Sequence, residues 1–582
     1  MKAIAPDIFK ATVPEHWKPD DQARYANKLF KLTPAATGYS AMGTRYRTAL
    51  YTLMAIVGLV LLIACANIAN LLLARATARQ REFSMRMAIG ASRGRVIRQL
   101  LTESLLLSLL GAAAGLLLAH WGSRLLVALL STARSPLEID LSPDLRVLAF
   151  TTGAACLTAL LFGLAPALRA TRLKLHDVLK ESGRGSLRGS TRFHLGKALV
   201  AGQVALSLVL LVGATLFLGT LRNLLAVDLG LDPRNVLFVN ARFEQANIPA
   251  ERRGAVYRET LDRLKTIPGV VSAAILDIVP LSGSVWNNTL LPEGYESKSR
   301  WDTLTFLNSI SAGYFETVGT PILLGRDFGE QDSFNSPKVI IIGETAAKRF
   351  FDSQNPLGKI IAMDEPTGKD VFEVIGVVKD IKYRQVDEEI KPTAYVAAAQ
   401  SGPGPSVWYA IRSGGAAEAL TPAIRSAFKQ VHPTIALEFR DFESQIRESL
   451  LQPRVVALLS TVFGSLALLL AMVGLYGITA YGVAGRQSEI GIRMALGAQP
   501  RSVIWLVLRD VLLLLAAGMA LGLAASVALG RLITSLLFGV QPSDALQLTS
   551  AAVVLAAATA IAAYLPARRA ARLDPVTALR QE

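Results

Sequence analysis

A chain of 582 residues with 52% apolar and only 18% charged content, at a mean hydropathy of +0.39, is too apolar for a soluble protein of this size and too polar to lie wholly in a membrane. The net charge of +16 does not point to nucleic acid, because the Arg and Lys residues cluster beside apolar segments. The two cysteines, Cys65 and Cys156, both lie inside such segments and exclude a disulfide framework.

Residues 1–46 are polar and mixed in charge, unlike a signal peptide. Apolar segments of roughly 20 residues, enough to span a bilayer, follow near 48–75, 99–121, 146–168, 198–221, 455–484, 503–527 and 546–566. Seven transmembrane helices are therefore expected. The loop after the first carries Arg75, Arg79, Arg81, Arg86, Arg93, Arg95 and Arg98 against one acid, Glu82. Together with the basic stretch after the third, this places both loops in the cytoplasm by the positive-inside rule. Arg486, Arg493, Arg501, Arg568 and Arg569 fall on the same side, so residues 223–453 and 1–46 lie outside. The Gly-rich stretch within 183–197 reads as a cytoplasmic linker.

The external segment 223–453 alternates strand and helix patterns. Strands are expected at 236–243, 270–277, 338–343, 372–378, 393–397 and 407–412, and helices at 250–265 and 416–431. A strand–helix–strand unit at each end with a strand-rich insertion near 280–400 predicts an α+β domain. Five histidines are spread along the chain without metal-ligand spacing, so neither a metal site nor a catalytic centre is expected. Trp286, Trp301 and Trp408 could mark a binding surface, with ordinary core residues the commoner reading.

The strongest pattern is internal. Residues 79–91 (RQREFSMRMAIGA) recur as 486–498 (RQSEIGIRMALGA), identical at eight of 13 positions. A second echo pairs 166–173 with 566–573, each copy closing an apolar segment. The chain therefore contains two related halves: a three-helix domain at 47–182, and a helix at 198–222 leading through 223–453 to a second three-helix domain at 454–582. By this plan the first half lacks its opening helix, and residues 1–46 read as the remnant of a first external domain in an N-terminally truncated chain.

In the repeated loops Arg79, Glu82 and Arg86, with Gly90, stand where Arg486, Glu489 and Arg493, with Gly497, stand in the second copy. Spacings of three and four put the acid on one helical face with both arginines. Topology needs only positive charge, whereas the shared Glu and glycine ending predict a short amphipathic helix presented to a partner. Gly111 and Gly115 align with Gly518 and Gly522, a GxxxG pair expected to pack helices, in the first instance between the halves. Glu103 and Asp510 also align, and each is expected to pair with an arginine such as Arg98 or Arg509. No Walker A pattern occurs, and the G-x-S-x-G match at 90–94 lies in a loop without the strand and helix a nucleophile elbow needs. Neither enzymatic activity nor a cofactor is expected of these residues.

The loops at 79–91 and 486–498, the closing stretches at 166–170 and 566–570, and the external motif 311–319 with 324–328 resemble the permease superfamily of the macrolide exporter MacB, the lipoprotein-release permeases and FtsX. The duplicated arrangement is similar to that of duplicated, acidobacterial-type orphan permeases. The resemblance implies an inner-membrane protein that works with cytosolic ABC ATP-binding subunits docked beneath the repeated loops. ATP-driven movement of the external domain would then export or release an antibiotic, peptide or lipoprotein, with a periplasmic adaptor as a further partner. An FtsX-like regulator of an external enzyme is the alternative that the resemblance leaves open.

Overall fold

In the computed structural model, described residues are 4–13, 19–28, 41–78, 92–130, 144–157 and 190–572, apart from 155, 244, 245, 247, 298, 299, 353, 366, 367, 403, 485 and 486. The chain forms two compact units, Met1–Ser40 with Leu224–Leu451 and Ala41–Asn223 with Gln452–Glu582.

In chain order the helices are α1 (Ala5–Ala11), α2 (Pro19–Ala26), α3 (Ala41–Ala78), α4 (Arg93–Leu130), α5 (Ser190–Leu225), α6 (Ala250–Lys265), α7 (Tyr314–Val318), α8 (Glu344–Phe351), α9 (Thr421–Val431), α10 (Phe442–Ser449), α11 (Leu451–Ala484), α12 (Gln487–Ala495), α13 (Pro500–Gly530) and α14 (Ala545–Ala570). A further helical stretch runs over 145–154.

Six helices among the described residues are long and apolar enough to cross a membrane: α3, α4, α5, α11, α13 and α14. The expected span at 146–168 is described only at its start, and the rest of it lies outside the described residues. Within this unit α3, α5 and α11 share a core of Ile56, Val60, Ile63, Leu210, Phe217, Val456 and Ala467. A second core joins α5 to α11, α13 and α14 through Val204, Leu208, Leu475, Leu515 and Leu555. Lipid tails are as apolar as these side chains, so close packing and hydrogen bonds rather than hydrophobic exclusion hold the bundle.

Among its described residues the other unit carries eleven strands: β1 (Val236–Arg242), β2 (Val270–Leu276), β3 (Asn287–Pro292), β4 (Leu304–Ile310), β5 (Ile322–Gly325), β6 (Val339–Gly343), β7 (Ile360–Glu365), β8 (Gly368–Val378), β9 (Thr393–Ala397), β10 (Ser406–Ser413) and β11 (Ala436–Asp441). The order β11-β1-β10-β2 forms an antiparallel sheet. One face receives α6 and α9, with Tyr257, Leu261, Leu264, Ile424 and Phe428 on Leu237, Val239, Tyr409 and Ile411. The helical residues recur at three and four, the strand residues at two, so both patterns aim at one core. Each large side chain removed from water there contributes roughly 1.5–3 kcal/mol.

A single β2–β4 pairing links this sheet to the insertion. There β4-β3-β7-β8-β6-β9 closes on itself, because β9 also pairs in parallel with β4. Closure leaves these six strands a small barrel, filled by Leu290, Leu307, Ile340, Ile342, Ile361 and Val374. The α+β domain with a strand-rich insertion is thus present, and the insertion is a barrel, which strand alternation alone does not reveal.

Candidate functional site

The second copy of the repeated loop folds as α12. Its sequence carries two apolar stripes at four-residue spacing. Ile490, only 1% exposed, packs with Met494 and Val483 against Val503 of α13 and Ala570 of α14. Ile492 and Leu496 point away, 49% and 83% exposed, beside the exposed Arg493. The helix stops because Gly497 adopts φ +89°. The Gly497 amide donates to the Met494 carbonyl at 3.0 Å and the Ala498 amide to the Arg493 carbonyl at 2.9 Å, a Schellman closure that a residue with a Cβ adopts only under strain. The site is therefore an anchored helix whose outward stripe has no cover among the described residues.

Glu489 lies on α12, but its side chain, like Arg486, falls outside the described residues. So does the whole first copy, with Arg79, Glu82, Arg86 and Gly90. The sequence register sets Met85 and Ile89 where Ile492 and Leu496 stand.

From α12 the contacts run through α13 to α5. Gly518 and Gly522 face α5 so closely that added Cβ atoms would lie 2.8 Å from the Ala201 carbonyl and 2.9 Å from the Ala205 carbonyl. These glycines therefore pack within the second half, not between the halves as expected. Gly111 and Gly115 on α4 meet nothing within 4 Å among the described residues. Asp510, expected to pair with an arginine such as Arg509 or Arg98, reaches α5 at 3.8 Å from Lys197 Nζ. Its counterpart Glu103 accepts from Gln99 Nε2 at 3.2 Å on its own helix.

The halves meet at a polar layer that sequence reasoning missed. Gln203 Nε2 donates to Asn67 Oδ1 (3.1 Å) and to the Leu470 carbonyl (2.8 Å). Asn67 Nδ2 donates to the same carbonyl at 2.7 Å. Ser207 Oγ donates to the Ala467 carbonyl at 3.2 Å. The available signal was the presence of Asn67 and Gln203 in apolar spans, where amides seek partners on other helices.

In the extracytoplasmic unit the stretch following α5 is clamped. Lys379 Nζ donates to Asp228 Oδ2 at 2.5 Å, which holds that carboxyl below its ordinary range. Thr320 Oγ1 donates to the Gly230 carbonyl at 3.0 Å, and Arg412 Nη2 to the Asp232 carbonyl at 2.9 Å. On the return path Asp441 caps α10 by accepting from the Ser444 amide at 2.9 Å. Gln445 Nε2 on α10 donates to the Pro280 carbonyl at 2.7 Å, and Phe442 meets Phe238 edge-on at 5.0 Å.

The external motif is a structural lock. Asp327 accepts from the Gly313 amide at 3.1 Å, joining its two parts, and Arg326 grips the buried Asp332 with bonds of 2.6 and 2.9 Å. Trp286 packs against the barrel core and Trp408 lies beneath the Arg440 guanidinium at 5.0 Å, while Trp301 is 60% exposed. Among the described residues no group of His, Cys, Asp or Glu could hold a metal ion.

The FtsX-like permease C-terminal family model matches the chain twice, at residues 54–175 and 461–575. The MacB-like periplasmic core domain model matches residues 198–427. Similar proteins include the probable syringafactin export ATP-binding/permease protein SyfD of Pseudomonas syringae pv. tomato, 29% identical over 47% of this chain and 42% of that protein. The pyoverdine export ATP-binding/permease protein PvdT of Pseudomonas fluorescens is 25% identical over 66% of this chain and 56% of that one. The macrolide export ATP-binding/permease protein MacB of Mannheimia succiniciproducens is 25% identical over 48% and 44%. The chain spans about half the length of these curated relatives. With both halves and the domain between them matched, the chain belongs to the MacB/FtsX-like ABC transporter permease family, as a multi-pass inner-membrane protein with an extracytoplasmic domain.

Proposed function

We propose that the chain is a permease that takes ATP-driven motion from separate cytosolic ATP-binding subunits and delivers it to its extracytoplasmic domain, exporting or releasing an antibiotic, peptide or lipoprotein. The observation that carries this reading is the anchored helix α12. Its inward stripe is fixed to α13 and α14, and its outward stripe presents Ile492 and Leu496. Exposed apolar residues at helical spacing are what a groove on a partner takes up. A separate ATP-binding subunit is part of this reading: the relatives' names join ATP-binding and permease functions, and the permease regions are the part that this chain matches. The glycine contact at Gly518 and Gly522 supports a path from α13 into α5, the helix that precedes the extracytoplasmic domain.

The test is purification of the tagged full chain from its native membranes, with ABC ATP-binding subunits identified by mass spectrometry. Co-purification lost on Glu82→Lys with Glu489→Lys supports the reading. Co-purification unchanged by that pair and by Ile492→Glu with Leu496→Glu contradicts docking through the loops.

A further inference from the structure

Between α13 and α14 runs an apolar groove of about 380 Å³, lined by Leu508, Leu512, Leu515, Ala560, Ile561 and Tyr564. Chain direction fixes its depth. α11 starts from the extracytoplasmic domain, so α13 begins and α14 ends at the cytoplasmic face. The groove therefore lies in the cytoplasmic half of the membrane. Exposed Trp505 and Tyr564 stand along it as interfacial aromatics do.

Its cytoplasmic mouth is cationic. Arg501 precedes Leu508 by two helical turns on one face, about 10 Å along the axis, and Arg568 follows Tyr564 by one turn. Both are exposed, and neither side chain has a partner among the described residues. The nearby carboxylate, Asp510, is turned to Lys197 of α5. The ends of α13 and α14 come together there, since Val503 and Ala570 both pack on Ile490 of α12.

We propose that this groove is a site for an anionic phospholipid of the inner leaflet, with an acyl chain along Leu508–Ile561 and the phosphate between Arg501 and Arg568. Charge complementarity selects this occupant, because an apolar slot ending in two guanidinium groups that have no partner among the described residues matches one chain under one anionic headgroup. The bound lipid would brace the ends of α13 and α14 on which α12 rests.

The experiment is native mass spectrometry of the full chain in detergent, with palmitoyl-oleoyl phosphatidylglycerol or phosphatidylcholine added. The wild type is expected to retain phosphatidylglycerol preferentially. Arg501→Ala with Arg568→Ala should cut that retention roughly tenfold or more, to the phosphatidylcholine level. Arg531→Ala, at the opposite end of α13, should leave it unchanged. Ala560→Phe, which fills the groove, should lower retention of both lipids at an unaltered unfolding temperature. Equal retention of the two lipids by wild type, or retention unaffected by both the arginine pair and Ala560→Phe, overturns the proposal. So does a wild-type dimer that Ala560→Phe dissociates, because the groove would then be a contact between copies.

Discussion

Asn67 and Gly474 hold equivalent positions in the two repeats, by the register that aligns Arg79 with Arg486, and they face each other where α3 meets α11. A Cβ on Gly474 would lie 2.2 Å from Asn67 Oδ1 and within 2.7 Å of the Gln203 amide. Equivalent residues in contact are the mark of two copies related by an axis running between them. Here one copy supplies the amide and the other the space for it.

Gly474→Val should displace both amides from the Leu470 carbonyl. Intramembrane hydrogen bonds contribute about 0.6–2 kcal/mol each, so a loss of roughly 1–3 kcal/mol is expected. Unfolding of the full chain in mixed detergent, compared with Asn67→Ala as the milder variant, measures it. Unchanged stability in Gly474→Val would mean that the polar layer does not hold the halves.

The aligned glycine pairs should respond unequally. Gly518→Val and Gly522→Val push into the α5 backbone and should each cost about 1–3 kcal/mol, since overpacked helices must separate. Gly111→Ala and Gly115→Ala should stay within about 0.5 kcal/mol of wild type. Thermal unfolding of the four variants in the same detergent is the check.

Low pH should loosen the extracytoplasmic domain through Asp332. The Arg326 guanidinium beside it, with the Gly329 amide, holds its carboxyl below the usual range despite burial. The folded protein therefore takes up this proton at lower pH than the unfolded chain. The stabilisation is complete above the ordinary carboxylate value, near pH 4, and declines as pH falls through the depressed one. Arg326→Ala should lower stability at neutral pH by about 2 kcal/mol and flatten the acid limb. Unfolding temperature of the full chain against pH would show both effects.

Much of the architecture was readable because membrane spans and repeats announce themselves through length and identity. The pattern at 250–265 marks α6 to the residue, and Gly497 marks the end of α12. The barrel closure was not legible, since the β9–β4 pairing joins strands distant in sequence with no local signature. The glycine pair was recognised as a packing surface, but its partner was misread. GxxxG specifies close approach and says nothing about which helix approaches. For Asp510, sequence proximity pointed to arginines such as Arg509, and the ion pair with Lys197 on the neighbouring helix was not legible. Ile492 and Leu496 escaped notice because their charged neighbours dominate the motif.

In the function proposed above, α12 is the surface on which the ATPase docks. A photo-crosslinking residue placed at Leu496 in the full chain, activated in cells, tests it most directly, with the same residue at exposed Leu532, at the external end of the helix bundle, as the control. An ABC ATP-binding subunit should be captured from Leu496 and not from Leu532. Capture of no ATP-binding protein from Leu496, or equal capture from both positions, would contradict it.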